Sequence, residues 1–397
     1  MAGGINDTKR PRILAVCGYE PNPITVRKLE SLHATGAWEI HLAYWRPVKT
    51  WTRYPFSASW DPSTIHPIDV PEDLLGSSEF LGGLRGSLAL VRFHLRLRKI
   101  VRLVQPDLIH ASNSNMLVGS WFFCVRHPER ALVYDLLDTD DGMRRWPFVP
   151  MQRLMHRRVD HITVPSDRFV SGFLRPLRLI PADCEPTVIA NAPWRHTFAA
   201  VGPRRDASFV VGYIGSFRCR PAIDALIASV ARVRAEGADV EILFAGTGEL
   251  RPLIEEAARQ HPFVTYTGPY DYRTDIGPLY ERVDAVFAVY DGTADKQTHL
   301  ACRLSDAVAS GRAVIAAKNT YMGEIVEANS LGYAVDLSDP STLDHALADA
   351  VRRREEWRAP RRIPDQLRNE HLFEQYVPRL LAVYRDAFGR RNHPRAC

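Results

Sequence analysis

The sequence predicts an α/β protein built from two Rossmann-like doubly wound domains. Short β-branched or apolar runs alternate with longer segments of helical periodicity, the pattern of βαβ units and parallel sheets. The alternation breaks between Pro193 and Ala207, where PWRHTFAAVGPRRDA carries the prolines, glycine and charges of a linker. The length of 397 residues also exceeds a single typical domain of about 100–200 residues.

In the first half, strands are expected near Arg12–Gly18, Glu39–Arg46, Asp107–Ser112, Ala131–Asp138, His161–Ser166 and Thr187–Ala192. In the second they fall near Phe209–Ser216, Val240–Gly246, Val264–Gly268, Ala285–Tyr290, Ala313–Lys318 and Gly332–Leu337. The domains are therefore expected to span residues 1–195 and 207–360. After Pro364, Leu372, Tyr376, Leu380, Val383 and Phe388 recur at roughly helical spacing, which predicts a C-terminal helix over 366–397, kinked at Pro378, packing on an existing domain.

Composition narrows the function classes. With 46% hydrophobic and 24% charged residues the chain is globular, which excludes a mainly disordered, collagen-like or coiled-coil protein. A net charge of +5 is too small at this length to imply nucleic-acid binding. The longest nearly apolar run, Met116–Val125, is about half of what a membrane-spanning helix needs, and MAGGINDTKRPR lacks an apolar signal core, so a cytoplasmic protein is expected. Six cysteines without CxxC spacing suggest reduced thiols and no zinc site.

Such sheets bind ligands beyond the carboxyl ends of their strands, so two facing domains create a cleft lined by strand-to-helix loops. VVGYIGSF, followed by Arg218, Arg220 and a helix from about Pro221, combines Gly212 and Gly215 with a helix N-terminus, which suits a diphosphate; a plain turn with two solvated arginines reads the same way. FAGTGEL adds Gly246 and Gly248 at a second such turn. The most informative stretch runs from Thr298 to Ala317. There a polar loop with Lys296 and His299 leads into a helix that bears Arg303 and Asp306 one turn apart and stops at Gly311. The two are either an exposed helical ion pair or a phosphate and ribose site.

At RLSDAVASGRAVIAA, followed by GEIVEANSLGYAV, the chain resembles the second half of GT-B glycosyltransferases, in particular the retaining family 4 group, whose K-L-x-E-x-M-A-x-G-x-P-V-I-A segment binds a nucleotide sugar. DLIHASNSNMLVGS, ALVYDLLD, PTVIANAPW, ILFAGTGEL and LYERVDAVFAVY are similar to other segments of that family, in the same order. The resemblance implies two facing domains with the C-terminal helix returned to the first. It also implies transfer of a sugar from a nucleotide diphosphate donor, UDP-linked in preference, to a hydroxyl acceptor with retention, with no cofactor and no metal.

Carried onto this chain, the family pattern makes Arg218 and Arg303 the groups that stabilise the leaving diphosphate. It assigns donor contacts to Gly215, Ser216, Arg220, Gly246, Tyr270, Leu304 and Asp306. Asn22, Ser112, Asn113 and Asp135 are expected on the acceptor side, with Asp138 orienting the acceptor hydroxyl; a solvated, helix-capping loop is the competing reading for both acids. The family's Lys is Arg303 here and its ribose-binding Glu is Asp306, while family positions for a His and an acid fall on Ser112, Leu137 and Thr298. Those departures keep a non-catalytic partner subunit, or a nucleotide-sugar epimerase on the same fold, as alternatives.

The segment Arg85–Val104 is a basic amphipathic helix without an acid. It can contact the inner face of an anionic membrane, or pack its apolar side on the sheet and leave the basic side solvated. The aromatic loop Trp45–Ser63 either covers the acceptor or is a packed excursion.

Overall fold

RILAVC, apolar and β-branched with no glycine or proline, forms the strand at the centre of the first sheet, and five of its six residues are buried. The computed structural model describes residues 10–18, 21–46, 60–69, 83–139, 142–204, 206–290, 300–358 and 363–389, without the side chains of 46 and 83–87. Lys296, Thr298, His299 and most of the Trp45–Ser63 loop lie outside the described residues.

The first sheet comprises β1 (Arg12–Cys17), β2 (Glu39–Arg46), β3 (Ile65–Asp69), β4 (Leu108–Ser112), β5 (Ala131–Asp135), β6 (His161–Val164) and β7 (Thr187–Val188). They run in the order β3-β2-β1-β4-β5-β6-β7, all parallel. The strand order reverses between β1 and β4, which opens a crevice at their carboxyl ends. Its helices are α1 (Pro23–His33), α2 (Gly83–Val104), α3 (Asn113–Arg126), α4 (Phe148–His156) and the short α5 (Asp167–Phe169).

The second sheet comprises β8 (Phe209–Ile214), β9 (Val240–Ala245), β10 (Val264–Tyr266), β11 (Ala285–Ala288), β12 (Ala313–Ala317) and β13 (Gly332–Val335). Their order is β10-β9-β8-β11-β12-β13, again all parallel, with the reversal between β8 and β11. Around it lie α6 (Arg220–Ala235), α7 (Arg251–Gln260), α8 (Ile276–Glu281), α9 (Cys302–Ser310), α10 (Tyr321–Ala328), α11 (Pro340–Arg352) and α12 (Arg354–Arg358). The chain ends in α13 (Asp365–Glu370) and α14 (Val377–Gly389).

Each sheet is buried on both faces. In the first domain α2, α3 and α4 cover one face and α1 with α14 the other. In the second, α6, α7 and α11 lie opposite α8, α9 and α10. The return of α14 to the first domain is fixed by Tyr384, whose hydroxyl meets His110 Nδ1 at 2.6 Å, and by Trp38, which stacks on Phe388. His110 is thus a core residue whose imidazole is held neutral, its pKa pushed down to about 4 by burial.

Three expectations need correction. β3 was not anticipated: IHPID has no apolar alternation, and Pro67 is tolerated because the strand is at an edge, paired only with β2. Pro378 does not kink a long helix. The segment breaks into α13, a 3₁₀ turn at Phe373–Gln375 and α14, in which Pro378 occupies the first turn, where the missing N–H is no loss. Cys184 is disulfide-bonded, whereas Cys17, Cys124, Cys219 and Cys302 are free thiols.

Candidate active site

The loops after β8 and β9 meet backbone to backbone, and only glycine fits. Gly215 and Gly246 have φ of +132° and +133°, and a Cβ on Gly246 would sit 2.0 Å from the Gly215 carbonyl oxygen. Beyond this turn α6 begins at Arg220 with no side chain capping its first N–H groups. α9 is also uncapped by any side chain, and it ends where Gly311 adopts φ +72°. Uncapped N-termini of this kind carry orphan donors and a partial positive charge, which suits an anion.

Arg303, in the first turn of α9, is only 6% exposed. Its guanidinium lies 4.0 Å from the centre of the Tyr213 ring and 5.1 Å from that of Tyr290. It donates to the carbonyls of Ser216 at 3.2 Å and Phe287 at 3.3 Å, which ties the ends of β8 and β11 together. No carboxylate among the described residues pairs with it. Asp306, one turn on, is also buried, so the exposed helical pair is excluded. Its Oδ1 accepts from the Tyr272 hydroxyl at 2.6 Å. Burial pushes its pKa up to about 7, against the opposing pull of the Tyr272 hydrogen bond and the Arg27 and Arg303 charges.

The remaining donor-side residues divide. Tyr270 is half-buried, and its phenol is held protonated first by burial and then by the negative charge of Asp306. Ser216 contributes its carbonyl to Arg303. Arg218 is exposed and close enough to Tyr290 for its charge to act on that phenol. Arg220 is exposed on α6 and paired with Asp224 at 3.3 Å, so the structure does not gather it with Arg303. Leu304 is a correction: its side chain is fully buried in the core beneath α9, because it points to the sheet face of that helix.

On the acceptor side, Asp138 is half-buried and lies near Cys302 at the start of α9, whose thiol is raised to about 12, chiefly by burial, with Asp306 and Asp138 adding to the rise. Asn113 adopts φ +66°, and its Oδ1 accepts from the N–H groups of Leu137 at 3.0 Å and Asp138 at 3.1 Å. It is therefore a positioning residue for the loop that carries Asp138.

Asn22 caps α1, accepting from the Thr25 N–H at 2.9 Å. Ser112 is also a correction, buried beneath the cleft floor with its hydroxyl 3.1 Å from His110 Nε2. So is Asp135, fully buried and bound to Lys28 Nζ at 2.8 and 2.9 Å and to the Thr163 hydroxyl at 2.6 Å. Strand-end position alone did not reveal that β5 turns this acid inward.

Two residues were missed. Arg27 of α1 lies 5.3 Å from the Tyr272 ring centre, which brings the first domain onto the Asp306 site. Tyr272 itself sits two residues past Tyr270, and the polar turn between them gave no reason to choose it. Ion pairs also bridge the domains, Arg273 to Glu30 at 2.6 Å and Arg168 to Glu324 at 2.6 Å.

Comparison with known proteins agrees with this fold. Residues 208–353 match the family model described as Glycosyl transferases group 1. No curated protein matches the chain in sequence. Among solved structures, sucrose-phosphate synthase from Thermosynechococcus elongatus is 15% identical with a TM-score of 0.68, covering 96% of this chain and 100% of that one. HepE from Anabaena, in complex with UDP and glucose, is 15% identical with a TM-score of 0.66 over 95% of this chain and 100% of its own. A UDP-N-acetylglucosamine 2-epimerase is 14% identical with a TM-score of 0.57, covering 98% and 100%. The chain thus has the fold of the GT-B glycosyltransferases, and its second domain matches the Glycosyl transferases group 1 family model.

Proposed function

We propose that the chain transfers a sugar from a UDP-sugar to a hydroxyl acceptor, with retention of anomeric configuration and without a metal. The observation that carries the reading is Arg303, a buried guanidinium with two carbonyl partners and no carboxylate among the described residues, at the uncapped start of α9. A cation kept out of water without a counter-charge is costly. A diphosphate supplies the missing charge, and the family match to residues 208–353 supports a nucleotide sugar as its source. UDP is favoured because HepE, of the same fold, has been seen with UDP and glucose.

The chemistry follows from charge. As the bond between the anomeric carbon and the diphosphate breaks, its electron pair passes to the phosphate oxygen and the sugar takes on oxocarbenium character. Arg303, held by Tyr213 and Tyr290, meets that oxygen without reorganising, and Arg218 and the α6 and α9 N–H groups add to it. Asp306 accepts from the ribose diol, and Tyr270 frames the base. Asp138 orients the acceptor hydroxyl on the opposite wall, where Asn113 fixes its loop. The acceptor oxygen attacks from the face the diphosphate leaves and passes its proton to the departing phosphate oxygen, which preserves the configuration.

The test is a thermal-shift panel of UDP, GDP and dTDP with their sugar conjugates, run on the wild type and on Arg303→Ala. Binding to the native state raises the melting temperature, by about 2.7 kcal/mol of stabilisation at a hundredfold excess over Kd. A UDP shift that disappears in Arg303→Ala is expected; a UDP shift of equal size in the variant refutes the assignment. The epimerase neighbour favours one second reading, donor epimerisation on the same site. Conversion of a UDP-sugar followed by NMR with no acceptor present separates the two.

A further inference from the structure

The first domain carries a surface that the transfer reaction does not use. Among the described residues, all the large apolar side chains that are exposed lie between Leu88 and Leu154. Four are on α2, where the sheet-facing row Ala89, Phe93, Leu97 and Val101 is buried as the amphipathic reading anticipates. Leu88, Val91, Leu95 and Leu103 form a second apolar row facing away from the sheet. That row is unexpected, because packing on the sheet accounts only for the first. Phe122 and Val125 expose themselves on α3, and Phe148, Met151 and Leu154 on α4. Trp146, just before α4, is 84% exposed.

These helices are neighbours. α3 approaches α2 so closely that a Cβ on Gly119 would lie 1.9 Å from the ring of His94, and α3 packs in turn on α4. Their outward sides therefore make one continuous face. It is basic as well as apolar: α2, α3 and α4 contain no Asp or Glu, and against the one exposed acid described just past α3, Glu129, stand the exposed Arg92, Lys99, Arg102, Arg126, Arg145 and Arg157 on or beside them. No helix among the described residues is long and apolar enough to cross a membrane.

We propose that this outward face of α2, α3 and α4 docks on an anionic lipid bilayer. The charge decides between occupants. In a symmetric pairing with a second copy, a basic face would meet its own like charges. A sheet of anionic headgroups complements it, accepting the apolar side chains and Trp146 at the acyl boundary while the long basic side chains reach the phosphates. Asp138 stands only eight residues before Trp146 in the sequence, so docking brings the first-domain wall of the cleft near the membrane. The proposal does not depend on the transfer chemistry.

The test is co-sedimentation of the full chain with vesicles of phosphatidylcholine mixed with phosphatidylglycerol, against pure phosphatidylcholine, at low and high salt. Binding is expected only to the anionic vesicles and to weaken with salt. Arg92→Glu with Lys99→Glu should weaken it by about tenfold or more. Trp146→Ser with Leu95→Ser should weaken it at every salt concentration, since it removes the apolar part. The substituted side chains are exposed, and unchanged thermal melts confirm that each variant is folded. Absence of sedimentation at low salt, equal binding to neutral vesicles, or full binding by both variants overturns the proposal. A dimer seen by light scattering and abolished by Trp146→Ser with Leu95→Ser assigns the face to a second copy and overturns it equally. None of these outcomes bears on the UDP thermal shift, which tests the transfer reading separately.

Discussion

Both domains bury a cation at the carboxyl end of a sheet, and they treat it in opposite ways. In the first, Lys28 is closed against Asp135, which also accepts from Thr163, so the charge is neutralised within the fold. Burial alone would raise the Asp135 pKa, but Lys28 and then His110 hold it below the usual carboxylate range. In the second, Arg303 rests on two tyrosine rings and two carbonyls, with no ion-pair partner among the described residues. A paired buried charge is a structural part; one left open is a binding part. The pair sits beneath the cleft floor, and the open charge sits where two uncapped helices begin.

The comparison can be broken most forcefully at the pair. Asp135→Ala strands Lys28 and should cost about 3–5 kcal/mol in urea unfolding, whereas Lys28→Met with Asp135→Leu should recover most of it. A loss under about 1 kcal/mol in the single variant would contradict the structural role. Arg303→Met should behave the other way. It should lower turnover about 10²–10³-fold, as loss of one charge-stabilising donor does, while unfolding stability stays within about 1 kcal/mol of the wild type. A large stability loss in this variant would make Arg303 a structural cation after all.

Asp306 sharpens the contrast through pH. Its folded pKa of about 7 lies above the unfolded value of about 3.9, so the folded state binds more protons between them. Its contribution to stability is full below pH 4 and declines as pH rises to 7, at up to about 1.4 kcal/mol per unit. Asp306→Asn should flatten that decline in melts taken from pH 4 to 8; an unaltered slope would show that the acid titrates normally. The smallest effect is expected at Asn113. Asn113→Ala loses two hydrogen bonds and places alanine at positive φ, for about 1–2 kcal/mol, and should raise the acceptor KM by loosening the Asp138 loop. Asn113→Gly should restore the backbone but not the KM.

The fold was legible in the sequence wherever a strand was a continuous apolar run, since burial on both faces of a parallel sheet demands such runs. β3 escaped because an edge strand is freed from that demand. The donor site was legible to the extent that it is local. Arg303 and Asp306 share one turn of α9, and Gly215 and Gly246 each mark the end of a strand. Contacts between distant segments left no trace. Lys28 and Asp135 are 107 residues apart in the chain, and no spacing rule pairs them. Arg27 reaches Tyr272 only because the two domains face one another. The outward row of α2 was hidden for a different reason: helical periodicity identified the strongest apolar face, and the weaker one opposite it was read as basic alone.

The return of α14 has a consequence for synthesis. The first domain buries Leu380, Val383, Tyr384 and Ala387 against its sheet, and Tyr384 closes the hydrogen bond to His110. Those side chains leave the ribosome after the whole second domain. The nascent first domain therefore waits with one flank of its sheet uncovered, although its own strands were translated first. The second domain, complete by α12, can close earlier. The order of translation and the order of completion are reversed, and the nascent chain's longest-lived exposed apolar surface belongs to its oldest segment.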